Sequence, residues 1–339
     1  MHVPVLLQET IAALSPRAGG RYIDCTLGGG GHSEAILEKS APDGALLGLD
    51  RDEDAVSRCR ERLSRFGSRF TAVHADFASV AEVARDRGFA GADGILLDLG
   101  VSSFQLDDPE RGFSFRANGP LDMRMDRSRG PTAAEWIADR ADDPAAIADV
   151  LRKYGEEPAA ARIARAIAAE QKKEPIAGTA RLAGIVEKAV GGRRGAARHP
   201  ATRTFQALRI AVNDELRQVS SAVEDAISLL ADGGVLAVIT FHSLEDRIVK
   251  RAFAEHVGRE ISLQQGGSRH EGALPAVENA VKKSVAPSEA ETASNPRARS
   301  ARLRAVRRLP GAGGLDGFRS RPSPSSIFPS TSLFQRRTA

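Results

Sequence analysis

Short apolar runs that end in a polar or acidic residue recur through the first hundred residues and alternate with stretches of helical periodicity. Such runs are typical of buried parallel strands. The predicted strands cover residues 22–24, 45–50, 70–77 and 94–100. A fifth predicted strand, 233–241, follows more than 130 residues after the fourth. With predicted helices such as 33–39 and 54–65 between the strands, this rhythm predicts an α/β fold with a doubly wound parallel sheet.

The long interval between the fourth and fifth strands predicts an inserted, mostly helical second domain. The Asp-, Arg-, Gly- and Pro-rich residues 105–131 predict an ordered loop, and 133–173 and 181–190 have helical periodicity. Residues 205–230 are predicted to return to the sheet as one helix. The expected units are a sheet domain (1–104 and 206–308), an inserted domain (105–205) and a tail (309–339). The insertion would cover the carboxyl edge of the sheet, and the Gly, Pro and Ser content of the tail predicts disorder.

Four consecutive glycines, 28–31, follow the first predicted strand and precede a predicted helix. This order of elements lets a backbone approach a nucleotide-like ligand. Asp50 ends the second strand, twenty residues after Gly30, where an acid can accept hydrogen bonds from both hydroxyls of a ribose. The dinucleotide pattern G-x-G-x-x-G fails at Ser33, and the upstream acid Asp24 is unsuited to a pyrophosphate. S-adenosylmethionine, a cation without phosphate, therefore suits the site better than NAD.

Composition is that of a soluble enzyme with a substantial core. The 339 residues suggest about two domains, and 42% of them are hydrophobic. No apolar run approaches the roughly 18 residues of a membrane span, and polar residues interrupt any signal peptide near the N-terminus. Cys25 and Cys59 are too few for a disulfide framework or a zinc site, and we predict no metal. We expect a cytoplasmic protein, either a monomer or a homodimer.

Basic residues are concentrated in two segments, although the net charge is only +4. Residues 151–205 contain twelve Lys and Arg against five Asp and Glu, and residues 297–308 contain six arginines and no acid. A single segment of this kind is usually a solvated face. Two of them in a chain with a cofactor-binding pattern indicate a polyanionic partner such as RNA, because arginine makes bidentate contacts with phosphate and stacks on bases.

Longer motifs cover the chain to about residue 308, and through them it resembles the bacterial 16S rRNA (cytosine-N4)-methyltransferases. Among these motifs are GGGGHS (28–33), LDRD (49–52), ILLDLGVSS (95–103), QLDD (105–108), RGFSF (111–115), GPLDMRM (119–125), AEW (134–136), YGEE (154–157), HPATRTFQ (199–206), FHSLEDRIVK (241–250) and NPRARS (295–300). The resemblance implies a Rossmann-like class I methyltransferase sheet, S-adenosylmethionine as methyl donor, and a decoding-region cytidine of the small ribosomal subunit as substrate.

Site residues follow from the resemblance, residue by residue. The implied cofactor-binding residues are Gly30, Gly31, His32, Asp50, Phe77, Asp98 and Gln105. The basic segment and the neighbouring motifs suggest as RNA-binding residues Arg193, Arg194, Arg198, His199, Arg203 and His242. Other interpretations stay open for three of these motifs. His32 can cap the following helix, Phe77 can be core packing, and Ser243 can cap a helix 244–255 in place of a substrate contact.

The residue that accepts a hydrogen bond from the target amine is not identified by a standard motif. Many amino-methyltransferases place an Asn/Asp/Ser-Pro-Pro-Tyr/Phe turn after the fourth strand, but here that position reads DLGVSS. The nearest candidates for a catalytic role are Asp98, Ser102 and Ser103. Two other classes of function remain: a small-molecule methyltransferase or NAD-dependent oxidoreductase, and a non-catalytic RNA-binding protein. The single tryptophan, Trp136, fits core packing better than base stacking.

Overall fold

A seven-stranded sheet is the centre of the computed structural model, which describes residues 4–193, 199–262, 268–271 and 275–311. Its strands in chain order are β1 (Arg21–Asp24), β2 (Ala45–Asp50), β3 (Phe70–His74), β4 (Ala92–Asp98), β5 (Leu230–Thr240), β8 (Val277–Asn279) and β9 (Arg302–Arg308). Two further strands, β6 (Arg259–Ser262) and β7 (Ser268–Glu271), pair only with each other. The order across the main sheet is β3-β2-β1-β4-β5-β9-β8.

The first five strands of the sheet are parallel, whereas β9 and β8 each run antiparallel to their neighbours. The chain order reverses between β1 and β4, which makes this the switch point of the doubly wound fold, where ligands bind at the carboxyl ends of strands. β4 is apolar on both faces because helices cover both. Its residues Ile95, Leu96 and Leu97 are fully buried. The predicted α/β fold class is confirmed.

Helices pack on both faces of the sheet and build the region between β4 and β5. Those associated with the sheet are α1 (Leu7–Leu14), α2 (Gly31–Lys39), α3 (Glu53–Arg62), α4 (Val80–Asp86), α11 (Glu215–Leu229), α12 (Ser243–Val257) and α13 (Glu289–Ser294). Those in the long interval are α5 (Ser103–Asp107), α6 (Ala133–Ala138), α7 (Pro144–Gly155), α8 (Ala160–Lys173), α9 (Thr179–Val190) and α10 (Ala201–Asn213). The interval has its own apolar core, in which Trp136 is buried.

Two predictions about the long interval differ from the structure. The helix predicted over 205–230 is two helices, α10 and α11, because the chain turns at Asp214, where φ is 49°. The predicted loop 105–131 begins inside the short helix α5 and contains a 3₁₀ turn at Pro109–Arg111. Helix α10 also crosses the predicted domain boundary at 205/206, so the division into domains stays a prediction. The tail from residue 312 onward lies outside the described residues.

The two strands β8 and β9 were missed in the sequence. In β9, buried Leu303, Ala305 and Val306 are interleaved with arginines, which hides the apolar pattern. The cation-rich segment is therefore an internal strand of the sheet along much of its length. Among the described residues, no helix has the length and apolarity to cross a membrane.

Candidate cofactor and substrate site

A cavity of about 620 Å³ lies over the carboxyl ends of β1, β2 and β4, where the switch point predicts a ligand. Three parts of the chain form much of its wall: the glycine turn after β1, the segment from Asp98 to Asp107 after β4, and the long interval. Phe113 to Ala117 and α10 contribute the third wall, so the insertion faces the ends of the strands directly. The same cavity is therefore bordered by the glycine turn, which predicts a cofactor, and by the helical long interval.

The glycine turn brings backbone to the wall of this cavity. Gly28, Gly29 and Gly31 line the cavity, whereas the predicted Gly30 does not. Gly30 instead makes the turn possible, because its φ is 78° and a Cβ there would lie 3.0 Å from Cys59 Sγ. Contact of Gly30 with the cofactor thus remains a prediction. Sequence reasoning passed over Gly28 and Gly29, although both belong to the same turn.

Asp50 lies at the cavity wall, at the end of β2, and is held by backbone donors. Its Oδ2 accepts a hydrogen bond of 2.8 Å from Gly28 N, and its Oδ1 accepts one of 2.9 Å from Asp52 N. Burial is the main reason that the pKa of Asp50 is raised from 3.8 to about 6, and the charges of Asp52 and Asp24 add to it. The carboxylate therefore has a fixed position, but no Lys or Arg pairs with it in the part of the chain that the structure describes.

Asp98 and His32 face each other across the switch point. Asp98 Oδ2 lies 3.6 Å from His32 Nδ1, while the other ring nitrogen, Nε2, lies 3.1 Å from the carbonyl oxygen of Val5. Because a carbonyl only accepts, Nε2 carries the hydrogen. Asp98 Oδ1 is buried and has no hydrogen-bond partner among the described residues. Burial, followed by the charges of Asp24 and Glu245, raises the pKa of Asp98 well above its usual value.

The carboxylates of Asp24, Asp50 and Asp98 end three neighbouring strands, and the structure pairs none of them with Lys or Arg among the described residues. Asp24 accepts hydrogen bonds from Ser33 Oγ at 2.6 Å and from Thr26 N, and burial raises its pKa as well. Buried acids without a cation are costly unless a ligand compensates them. A cationic ligand such as S-adenosylmethionine fits this set of carboxylate acceptors.

A buried ion pair connects the start of α3 to the loop of the long interval. Arg111 Nη1 lies 2.7 Å from Asp52 Oδ2, and both side chains are 5% exposed. The same carboxylate oxygen accepts a hydrogen bond of 2.8 Å from Gln105 Nε2. Arg111 Nη2 also donates to the carbonyl oxygens of Arg124 and Met125. This network connects the loop of the long interval to Asp52, two positions after Asp50. It was not predicted from the sequence.

The predicted residues Phe77, Ser102, Ser103 and Gln105 all line the cavity. Phe77 also packs against the sheet core. It therefore lies both at the cavity wall, where a cofactor contact was expected, and against the core, where packing was the other interpretation. Ser102 and Gln105 form a capping box at the start of α5: Ser102 Oγ accepts from Gln105 N, and Gln105 Oε1 accepts from Ser102 N. Much of the bonding capacity of Ser102 and Gln105 is thus used to fix α5.

The predicted RNA-binding residues do not form one group. Arg194 and Arg198 lie outside the described residues. His199 is fixed: its Nδ1 accepts from Ala201 N, its Nε2 lies 3.4 Å from Glu187, and its ring centroid is 4.6 Å from that of Phe115. Arg193 and His199 border a second depression of about 450 Å³ next to the cavity. Arg203 is exposed on α10.

His242 lies elsewhere, in a buried charge network. It is the N-cap of α12, so Ser243, for which a capping role was one of two open interpretations, is not the capping residue. Its Nδ1 accepts from Glu245 N, and its Nε2 lies 3.1 Å from Glu245 Oε1. Burial would raise the pKa of Glu245, but the nearby charges of His242 and Arg209 lower it instead. His242 does not line the cavity, and RNA binding by it stays a prediction.

The arginines of residues 297–308 mainly hold the structure together. Arg297 pairs with Asp107, Arg304 makes two bonds to Asp246 at 2.7 and 3.0 Å, and Arg308 lies 3.5 Å from Asp232. Arg307 donates to the carbonyl oxygen of Gly233. The second basic segment is therefore a weaker indication of RNA binding than its charge suggested.

Comparison with known proteins agrees with this site. A family model described as the MraW methylase family matches residues 1–309. The chain belongs to the MraW methylase family. Its membership confirms the prediction of an S-adenosylmethionine-dependent methyltransferase, and it excludes the oxidoreductase alternative.

Curated relatives share about half of the residues of this methyltransferase over almost the whole chain. One from Symbiobacterium thermophilum, named ribosomal RNA small subunit methyltransferase H, is 50% identical over 309 residues, which are 91% of this chain and 96% of that relative. Another with the same name, from Dehalococcoides mccartyi, is 48% identical and covers 92% and 88%. A solved rRNA methylase described as putative, from Clostridium thermocellum, has a TM-score of 0.41 and 9% identity, with coverage of 91% and 100%.

Proposed function

We propose that this methyltransferase transfers a methyl group from S-adenosylmethionine to the exocyclic N4 amine of a cytidine in the decoding region of 16S rRNA, in the cytoplasm. The names of the curated relatives support small-subunit ribosomal RNA as the substrate. The observation that carries the chemistry is Asp98, whose buried Oδ1 has no hydrogen-bond partner among the described residues and whose side chain borders the cavity.

The donor would be held by the ends of the parallel strands. S-adenosylmethionine supplies an electrophilic methyl group on a sulfonium cation when bound. We assign the ribose hydroxyls to Asp50, the adenine contact to Phe77 and the main-chain contacts to the glycine turn. These assignments agree with the position of all three at the cavity wall. The acids of the site would stabilise the positive charge of the donor and be stabilised by it.

The cytosine amine is a weak nucleophile because its lone pair is delocalised into the ring. A carboxylate that accepts one N–H of this amine localises the lone pair and stabilises the positive charge that develops on nitrogen. Asp98 has an oxygen available for this role, whereas Ser102 is engaged in a helix cap. We therefore prefer Asp98 to Ser102 as the acceptor.

The thiols of the site support methylation at nitrogen over methylation at ring carbon 5, which requires a cysteine thiolate. Cys25 borders the cavity, but burial raises its pKa well above the usual value. Burial likewise raises the pKa of Cys59 to about 12. A protonated thiol is a poor nucleophile, so neither cysteine is suited to attack on the ring.

The decisive variant is Asp98→Asn. We expect the single-turnover rate with saturating donor to fall by about 10²–10³, the usual cost of losing one electrostatic contact with developing charge. Calorimetry should show a smaller loss in donor affinity. Ser102→Ala serves as the matched control. A parental single-turnover rate in Asp98→Asn would exclude Asp98 as the amine acceptor and leave Ser103 or a residue of the insertion.

The substrate is tested with labelled donor. Methyl transfer is compared among free 16S rRNA, assembled small subunits, tRNA and cytidine, and the product nucleoside is identified after digestion. Methyl transfer to tRNA at the same efficiency, or a product methylated at carbon 5, would contradict the proposal. Light scattering of the same preparation distinguishes a monomer from a homodimer.

A further inference from the structure

One large apolar side chain is exposed at the rim of the cavity. Phe104 is 44% exposed, more than any other large hydrophobic residue in the part of the chain that the structure describes. It also belongs to the cavity wall. Its helix, α5, is fixed by the Ser102–Gln105 capping box and by the bond from Gln105 to Asp52. The ring is thus held at the rim although much of its surface remains in water.

The surroundings of Phe104 are shaped around the ring. A Cβ at Gly29 would lie 2.9 Å from Phe104 Cε2, so the ring occupies space that only a glycine leaves open. The guanidinium of Arg58 lies over the ring, with Cζ 4.6 Å from the centroid. Arg58 Nε and Nη2 are buried and have no hydrogen-bond partner among the described residues. An exposed aromatic ring therefore stands beside an arginine with unused donors.

A further arginine belongs to the wall of the same cavity. Arg116 lines the same cavity, is exposed, and has no ion pair among the described residues. Single-stranded nucleic acids bind to aromatic rings that stack with their bases and to cations that contact their phosphates. We propose that Phe104 and Arg58 form a subsite for one nucleotide of the substrate strand, next to the target cytidine. Its base stacks on Phe104, and its phosphate is attracted by the positive charge of Arg58.

This inference rests on the proposed function only for the identity of the strand, and it is tested without catalysis. The probes are short single-stranded RNAs with a central cytidine and 2-aminopurine at one neighbouring position, whose fluorescence is quenched by stacking. We expect the parent and Phe104→Tyr to bind with quenching. Phe104→Leu should bind about tenfold more weakly and lose the quenching, because base stacking contributes on the order of tenfold or more. Arg58→Gln should weaken binding and reduce its dependence on salt.

Donor affinity separates this subsite from a wall of the cofactor site. We expect calorimetry to give the same S-adenosylmethionine affinity for Phe104→Leu and the parent. A loss of donor affinity as large as the loss of RNA affinity would overturn the proposal, and so would equal quenching in Phe104→Leu and the parent. If the parent quenches the probe but does not methylate 16S rRNA, the proposed function fails and the stacking subsite stands.

Discussion

Fully or partly buried carboxylates near the carboxyl edge of the sheet occur in two different surroundings. At the ends of β1, β2 and β4, Asp24, Asp50 and Asp98 lie together without a lysine or arginine among the described residues, and the pKa of each is raised. On the side of the long interval, Asp52 is paired with Arg111, and Glu245 lies near Arg209 and His242. The pKa of Glu245 is lowered, although this residue is 1% exposed.

The difference separates structural acids from acids available to a ligand. Shielding an acid from water without a neighbouring cation costs free energy, and the folded protein by itself does not compensate this cost. Such acids are found at sites where a bound charge completes the arrangement. The paired acids, in contrast, connect the insertion to the sheet. The comparison therefore predicts opposite effects for substitutions on the two sides: a loss of stability on the paired side and a loss of donor binding on the unpaired side.

The largest effect is expected on the paired side. Arg111→Met should lower the free energy of unfolding by about 3–5 kcal/mol, because it leaves the carboxylate of Asp52 buried without its cation. Urea unfolding measures this loss. The control is Arg152→Met, which breaks an exposed pair with Asp149 on α7 and should cost less than about 1 kcal/mol. Equal losses of unfolding free energy in the two variants would show that the Asp52–Arg111 pair does not stabilise the contact between the long interval and the sheet.

A smaller effect, of a different kind, is expected on the unpaired side. Asp50→Ala should weaken S-adenosylmethionine binding by about 1.5–3 kcal/mol, the range for hydrogen bonds to charged groups. Isothermal calorimetry measures this change, with Glu53→Ala on the exposed surface of α3 as the control. An unchanged donor affinity in Asp50→Ala would remove this residue from the cofactor site.

The positions of the unpaired acids were largely predictable from the sequence, because the pattern that marks each of them lies within a few neighbouring residues. Each of these acids ends an apolar strand, and the carboxyl ends of parallel strands meet at one edge. Asp50 and Asp98 were identified in this way, together with the glycine turn between β1 and α2. The sequence did not show which of the four glycines face the cavity, since the face that a turn presents depends on its φ and ψ angles, and contact of Gly30 with the cofactor stays a prediction.

The paired side was not predictable because its partners are distant in sequence. Arg111 is 59 positions from Asp52, and Arg304 is 58 positions from Asp246. Composition can count such arginines but cannot distinguish one that pairs within the fold from one that binds a phosphate. For this reason the segment 297–308 was interpreted as a polyanion-binding cluster, although most of its arginines contact acids or carbonyl groups of the protein.

A pH dependence should distinguish the two sides further. With a pKa of about 6, Asp50 is partly protonated near pH 6 in the free enzyme. A bound cation favours the ionised form, so donor binding should release protons and weaken by about fivefold between pH 6 and pH 5. Calorimetry in buffers of different ionisation enthalpy measures the release, and Asp50→Ala should abolish most of it. A parental release in this variant would assign the titration to Asp98.

The unfolding free energy of the free enzyme should depend on pH with the opposite sign. Because the folded pKa of Asp50 lies above its usual value of 3.8, the folded state keeps a proton that the unfolded chain loses. The contribution of Asp50 to stability therefore falls as the pH rises from about 4 to about 6. The difference between the parent and Asp50→Ala, measured by urea unfolding at several pH values, isolates this contribution. A difference that does not change across this window would contradict the raised pKa.

The smallest effect on stability is expected for Asp98→Asn. Asp98 Oδ1 has no hydrogen-bond partner among the described residues, and burial together with Asp24 and Glu245 opposes its ionisation. An amide of the same shape avoids that cost, so the free energy of unfolding should change by less than about 1.5 kcal/mol, the scale of well-tolerated isosteric changes. The matched variant on the paired side is Glu245→Gln, which removes a charge from the Arg209–His242 network and should destabilise more. If Asp98→Asn were the less stable of the two, Asp98 would be a structural acid, and the contrast between the two sides would no longer identify the ligand site.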